Sequence, residues 1–198
     1  MKQRLILFYR NPELGKVKTR LAKDVGDERA LTIYRALCEH TWQISQTLDC
    51  DKVVYYSHQI EYGDLWPDDV FAKKVQSGND LGERMANAFA SEFQAGYNSI
   101  CIIGTDCLEL TPVILNQSFA ELEIRNAVIG PARDGGYYLL GMNHFYPKFF
   151  KDKKWSTDSV YEDTINDFET QSLSYSILPL LRDVDEAKDL PAHYQSKE

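Results

Sequence analysis

The sequence predicts an α/β protein built on a mixed, mainly parallel sheet, and three observations carry that reading. Apolar runs of strand length at Leu5–Tyr9, Lys52–Ser57, Ser99–Ile103 and Ala127–Ala132 are separated by stretches with a helical apolar period. The run through Ile100, Ile102 and Ile103 is apolar on both faces, as expected of a strand covered on both sides. Asp134-Gly135, between two late runs, is a hairpin signal that adds an antiparallel element. The 198 residues suffice for one well-buried domain, and no internal repeat or linker divides residues 1–198.

In chain order, the strand Leu5–Tyr9 is broken by turn chemistry at Arg10-Asn11-Pro12-Glu13-Leu14-Gly15. Lys16–Val25 reads as a short helix or turn ending at Gly26. Asp27 is placed to cap a long helix with an apolar face of Ala30, Ile33, Tyr34, Leu37, Thr41, Ile44 and Leu48. Lys52–Ser57 is a second strand, followed by a polar, aromatic-bearing connection and a third strand at Phe71–Gln76. Asp80 and Glu83 have capping-box spacing at the head of a helix that buries Met85, Ala88, Phe89 and Phe93.

The central strand ends abruptly at Gly104-Thr105-Asp106. Thr111-Pro112 is an N-cap with Pro at the first helical position, and Leu115, Phe119 and Leu122 continue that helix inward. Ala127–Ala132 and Tyr137–Met142 form the hairpin pair. A polar-capped helix at Ser156–Thr170, a last strand at Leu173–Leu178 and a closing helix at Glu186–Tyr194 complete the chain.

Composition removes several classes of function. A formal net charge of -8 argues against a nucleic-acid surface, which carries a basic field. Four cysteines without C-x-x-C spacing, and four scattered histidines (His40, His58, His144, His193), disfavour a zinc site or a disulfide framework. The first apolar run is too short for a secretory signal, and no window reaches the length of a membrane span. The expectation is a cytoplasmic protein with reduced thiols.

Chemistry is expected beyond the carboxyl ends of the strands, where open α/β sheets bind ligands. Asp106 falls at such an edge and can face a hard cation or a polar substrate; capping the next turn is the other use for it. The loop after the first strand bears Lys16, Lys18 and Arg20, cations suited to polyphosphate, or else a solvated basic face. Asp183-Val184-Asp185 follows the last strand, so Asp106 and Asp185 can share a Mg2+, although Asp185 also suits a helix N-cap. Gly135-Gly136 permits close backbone approach to a ligand, or simply a turn. The P-loop, the G-x-G-x-x-G fingerprint and the G-x-S-x-G elbow are all missing.

Taken together, K-V-K-T-R-L-A (Lys16–Ala22), D-L-G-E-R-M (Asp80–Met85), I-G-T-D-C (Ile103–Cys107) and I-G-P-A-R-D-G-G-Y-Y-L-L-G (Ile129–Gly141) resemble one bacterial family. It is the rSAM/selenodomain-associated transferase 1 family, within the GT-A-like nucleotide-diphospho-sugar transferase superfamily. The tail at Asp183–Leu190 looks like the D-x-D-T-P-E-D-L ending of small nucleotidyltransferases.

The resemblance implies a three-layer α/β/α fold and a nucleotide site at the N-terminal half of the sheet. By position it assigns Asn11, Gly15, Lys16, Lys18, Arg20, Asp80, Gly82 and Arg84 to the nucleotide. It assigns Asp106 to Mg2+ or Mn2+, to which the reading of the strand-end carboxylates adds Asp185, and Asp134, Gly135, Gly136 and Tyr137 to the acceptor. The chain departs from the pattern at Leu14 and Leu108, where the family usually has Pro, and Thr105-Asp106-Cys107 lacks the D-x-D of many sugar transferases.

The expected function is Mg2+-dependent nucleotidyl transfer from a nucleoside triphosphate to a small acceptor, with Lys18, Arg20 and Asp106 as the catalytic groups. A glycosyltransferase using a nucleotide sugar is the alternative, and a non-catalytic nucleotide-binding protein the second.

Overall fold

The structure, a computed structural model, describes residues 1–191 and Tyr194. Among the described residues, seven strands form one sheet: β1 (Gln3–Tyr9), β2 (Asp51–Tyr56), β3 (Phe71–Val75), β4 (Ser99–Ile103), β5 (Ala127–Pro131), β6 (Tyr137–Met142) and β7 (Tyr175–Ile177). Their order across the sheet is β3-β2-β1-β4-β6-β5-β7. Only β6 runs against the others, paired antiparallel with both β4 and β5. That is the outcome of the Asp134-Gly135 hairpin.

The period of two along β1 sorts the core into two layers. Leu5, Leu7 and Tyr9 face α2 (Asp27–Gln46) and α4 (Pro112–Glu121), packing with Tyr34, Cys38, Leu115 and Phe119. Ile6 faces the other way, with Val53, Ile100 and Ile102, toward α3 (Leu81–Gln94) and α5 (Val160–Thr170) through Met85, Phe89 and Phe168. Helices therefore cover both faces, giving three layers. No described helix is long and apolar enough to cross a membrane.

Side-chain caps account for the starts of α3 and α4. The Asp80 carboxylate accepts from Glu83 N at 2.8 Å, and the Thr111 hydroxyl caps α4 ahead of Pro112. Asp27 does not cap α2. Gly26 does, at φ 85, and Asp27 lies in the first turn, where its charge favours the helix dipole. α1 (Thr19–Val25) is shorter than expected because Lys18 precedes it in the left-handed region, φ 48.

The Ser156 helix start is also corrected. Ser156 has φ 64, incompatible with helix, and α5 begins only at Val160. Where the closing helix is expected to begin there is one turn of 3-10 helix, Ala187–Asp189, capped by Glu186 rather than by Asp185, and Tyr194 is helical. Residues 192 and 193 of that expected helix, His193 included, lie outside the described residues.

Candidate active site

The carboxyl ends of β1, β4, β5 and β7 meet around a cleft of about 640 Å³. Backbone bonds fix these ends to one another. Val184 N donates to Asp106 O at 2.9 Å, tying the exit of β7 to the exit of β4. The Tyr34 hydroxyl, from α2, accepts from Arg10 N and donates to Arg10 O, pinning the exit of β1. Tyr34 also accepts a long bond from Thr105 Oγ1.

Lys18 sits at the centre. Its side chain is 5% exposed, and Nζ donates to Val184 O at 2.7 Å and pairs with Asp106 Oδ2 at 2.9 Å. Asp106 Oδ1 and Asp183 Oδ1 are both buried without a hydrogen-bond partner among the described residues. Such atoms are costly unless a ligand or ion completes them. Burial and then the neighbouring Asp106 and Asp134 charges push the Asp183 carboxyl up to about 7, while Lys18 and the Cys107 thiol act the other way. Beside this group Arg20 Nη1 holds Asp185 Oδ2 at 2.6 Å. Burial raises the Cys38 and Cys107 thiols to about 12, which removes them as nucleophiles at neutral pH.

Residues 41–157 match the family described as "Uncharacterized protein conserved in bacteria (DUF2064)". The chain belongs to this family.

A solved structure supports the fold. A protein of Desulfovibrio desulfuricans G20, named "putative nucleotide-diphospho-sugar transferase", is 32% identical over 94% of this chain and 83% of its own, with a TM-score of 0.87. Two more distant structures share the fold alone. A cytidylyltransferase from Leptospira borgpetersenii is 14% identical over 93% of this chain and 78% of its own, TM-score 0.57. Glucosyl-3-phosphoglycerate synthase from Mycobacterium tuberculosis, solved with Mn2+, UDP-glucose and glycerol 3-phosphate, is 11% identical over 92% and 72%, TM-score 0.55. No protein of curated function matches the chain.

The candidates named from the sequence divide into those the cleft gathers and those it leaves out. Lys18, Arg20, Asp106, Asp134, Gly136, Tyr137 and Asp185 line it. Asn11 does not: its side chain is consumed by Ser57, Gln59 O and Glu61 in the loop that closes over it. Lys16 pairs with Glu13 at the surface, and the Gly15 turn, φ 73, backs onto Asp27. Arg84 donates to Gly78 O, and Asp80 is spent on its cap. Gly82 is bare because Trp155 lies on it; a Cβ there would stand 2.1 Å from the indole Nε1.

Several lining residues were not singled out from the sequence: Arg10, Tyr34, Thr105 and the segment Trp155-Ser156-Thr157-Asp158. The signal for the last was the glycine pair. Gly135, φ 88, has no room for a Cβ, which would stand 2.1 Å from Asp158 O. Asp183, the weaker choice from the sequence, lies beside Asp106, whereas Asp185 is engaged by Arg20.

Among the described residues, no group of three or more His, Cys, Asp and Glu side chains forms a ready-made metal cage. Two orphaned carboxylate oxygens do fit an ion such as Mg2+, which takes one or two protein carboxylates and completes its shell with water and substrate phosphate.

Proposed function

We propose that this protein is a divalent-metal-dependent transferase acting on a nucleotide, and that it carries out nucleotidyl transfer. The observation that carries this reading is the Asp106–Asp183 pair, each with a buried Oδ1 lacking a partner, set against the Lys18 ammonium. In this reading Asp106 and Asp183 hold Mg2+ or Mn2+, with Asp185 beside them on Arg20. When bound, the ion supplies positive charge to the phosphate oxygens and a template for their orientation.

The chain's own groups do the rest. Lys18 and Arg20 neutralise the phosphates and stabilise the charge that gathers on the leaving group. An acceptor hydroxyl oxygen attacks the α-phosphorus and gives up its proton to water, the bond to the bridging oxygen of the β-phosphate breaks, and pyrophosphate departs. Tyr34 and Thr105 hold the β1 and β4 exits rigid, so the reacting groups stay in line. Four free cysteines suit a cytoplasmic setting in which thiols stay reduced. The finer family placement, rSAM/selenodomain-associated transferase 1, rests on the sequence blocks.

Glycosyl transfer from a nucleotide sugar is the second reading. It is favoured by the name of the 32% identical D. desulfuricans relative and fits the same cation-and-carboxylate pole at least as well. Product analysis after incubation with nucleoside triphosphates or nucleotide sugars, with Mg2+ or Mn2+, separates them. Pyrophosphate supports nucleotidyl transfer and free nucleoside diphosphate supports glycosyl transfer. Metal-dependent binding without either product points to a nucleotide-binding protein.

A further inference from the structure

The residues lining the cleft divide by charge as well as by origin. Among the described ones, the cations are Arg10, Lys18 and Arg20, all from the first twenty residues, and two of them already face carboxylates. The part contributed by later segments holds Leu81, Met85, Tyr137, Trp155 and Val160 as apolar surface. Its polar groups include Thr105, Asp106, Asp134, Ser156, Thr157, Asp158, Asp183 and Asp185, with no Lys, Arg or His among them.

That region is built with care for one segment. Trp155 rests on the bare backbone of Gly82, Asp158 presses on Gly135, and Tyr161 N donates to Gly135 O at 2.9 Å. An ion pair between Lys153 and Asp167 anchors the segment to α5. Ser156 holds φ 64, a conformation that costs free energy in a residue with a side chain and that recurs where a site dictates the backbone. Opposite, the Tyr137 hydroxyl reaches Met85 Sδ at 3.7 Å, so the apolar surface is continuous from β6 to α3.

We infer that Trp155–Asp158, with Tyr137 and Asp134, forms the acceptor subsite, and that it selects a hydroxyl-bearing acceptor carrying no anionic group. The indole and Tyr137 receive the acceptor's C–H face. Asp134 and Asp158 accept from its hydroxyls. A phosphate or carboxylate on an acceptor held by Trp155–Asp158 would meet the Asp134 and Asp158 carboxylates, the cleft's cations all coming from the first twenty residues at its nucleotide end, an arrangement that disfavours it by charge. This inference rests on the transferase reading above, whose nucleotide end it leaves unchanged.

The test uses matched acceptor pairs: glycerol with glycerol 3-phosphate, ribose with ribose 5-phosphate and mannose with mannose 6-phosphate. Binding is measured by calorimetry on the full chain with Mg2+ and a non-hydrolysable nucleotide present. The neutral member of at least one pair is expected to bind at least about tenfold more tightly than its phosphorylated partner. Trp155→Ala weakens that binding at least about tenfold with nucleotide affinity unchanged, and Trp155→Phe restores most of it. Asp158→Lys, a change at the exposed edge of the segment, shifts preference toward the phosphorylated member. A phosphorylated acceptor preferred by the unaltered protein, or no binding by either member of any pair, overturns the inference while leaving metal-dependent nucleotide binding intact. Loss of nucleotide binding itself would instead sink the transferase reading, and this inference with it.

Discussion

Replacing Asp183 with Asn is expected to stabilise the metal-free protein, and to do so more at alkaline than at acidic pH. Burial and the Asp106 and Asp134 charges lift the Asp183 carboxyl from 3.8 to about 7. An acid whose pKa rises on folding binds more protons folded than unfolded between those two values. Stability therefore falls as pH climbs from about 4 to about 7, and the whole penalty is present above that range. At about 1.4 kcal/mol per pKa unit, the span sets a ceiling of about 4 kcal/mol. Part of the side chain still meets water, which brings the expected gain to about 2 kcal/mol near pH 8 and to under about 1 kcal/mol near pH 5. Denaturant unfolding of both proteins in chelator at the two pH values reads the difference directly. A variant less stable than the parent near pH 8, or a gain independent of pH, refutes the claim that two like charges are forced together there. The same variant is expected to lose metal-dependent nucleotide binding, because the destabilising carboxylate is the one the ligand needs.

Other consequences follow from the same geometry. Lys18→Met keeps the aliphatic stem but orphans Val184 O and leaves Asp106 without its cation; unfolding free energy should fall by about 2 kcal/mol and nucleotide affinity at least about tenfold. Arg84→Ala should alter nucleotide affinity less than about twofold by calorimetry, because its guanidinium serves Gly78 O rather than the cleft. Glu92→Gln should cost about 2 kcal/mol in denaturant unfolding, since the buried carboxylate joins Arg4, Lys74 and Tyr55, with nucleotide binding unaffected.

What the sequence made legible was whatever short-range pattern decides. Ser99–Ile103 reads as a covered strand because its apolar residues are consecutive, and the structure buries all five. The antiparallel β6 follows from Asp134-Gly135, and the α4 start from Thr111-Pro112. Asp106 and Lys18, named from their places after strands, do meet in the cleft.

The remainder depends on tertiary neighbours. Gly82 looks like a nucleotide contact within D-L-G-E-R-M, but its bareness answers Trp155, seventy-odd residues later. Asn11 sits in the first loop and is assigned to the nucleotide, but the connection between β2 and β3 takes up its side chain. Asp185 ranks above Asp183 on paper, yet the placement of α1 beside the last loop engages Asp185 with Arg20. The left-handed Ser156 carries no sequence mark, so a polar-capped helix was the natural expectation there.

The most direct test of the account is calorimetric titration of a nucleoside triphosphate and of a nucleotide sugar into the protein and its Asp106→Ala variant, in Mg2+ or Mn2+ and again in chelator. The account predicts binding that weakens at least about tenfold when either the metal or the Asp106 carboxylate is removed, with the variant still folded. Equal affinity under all of these conditions would contradict it.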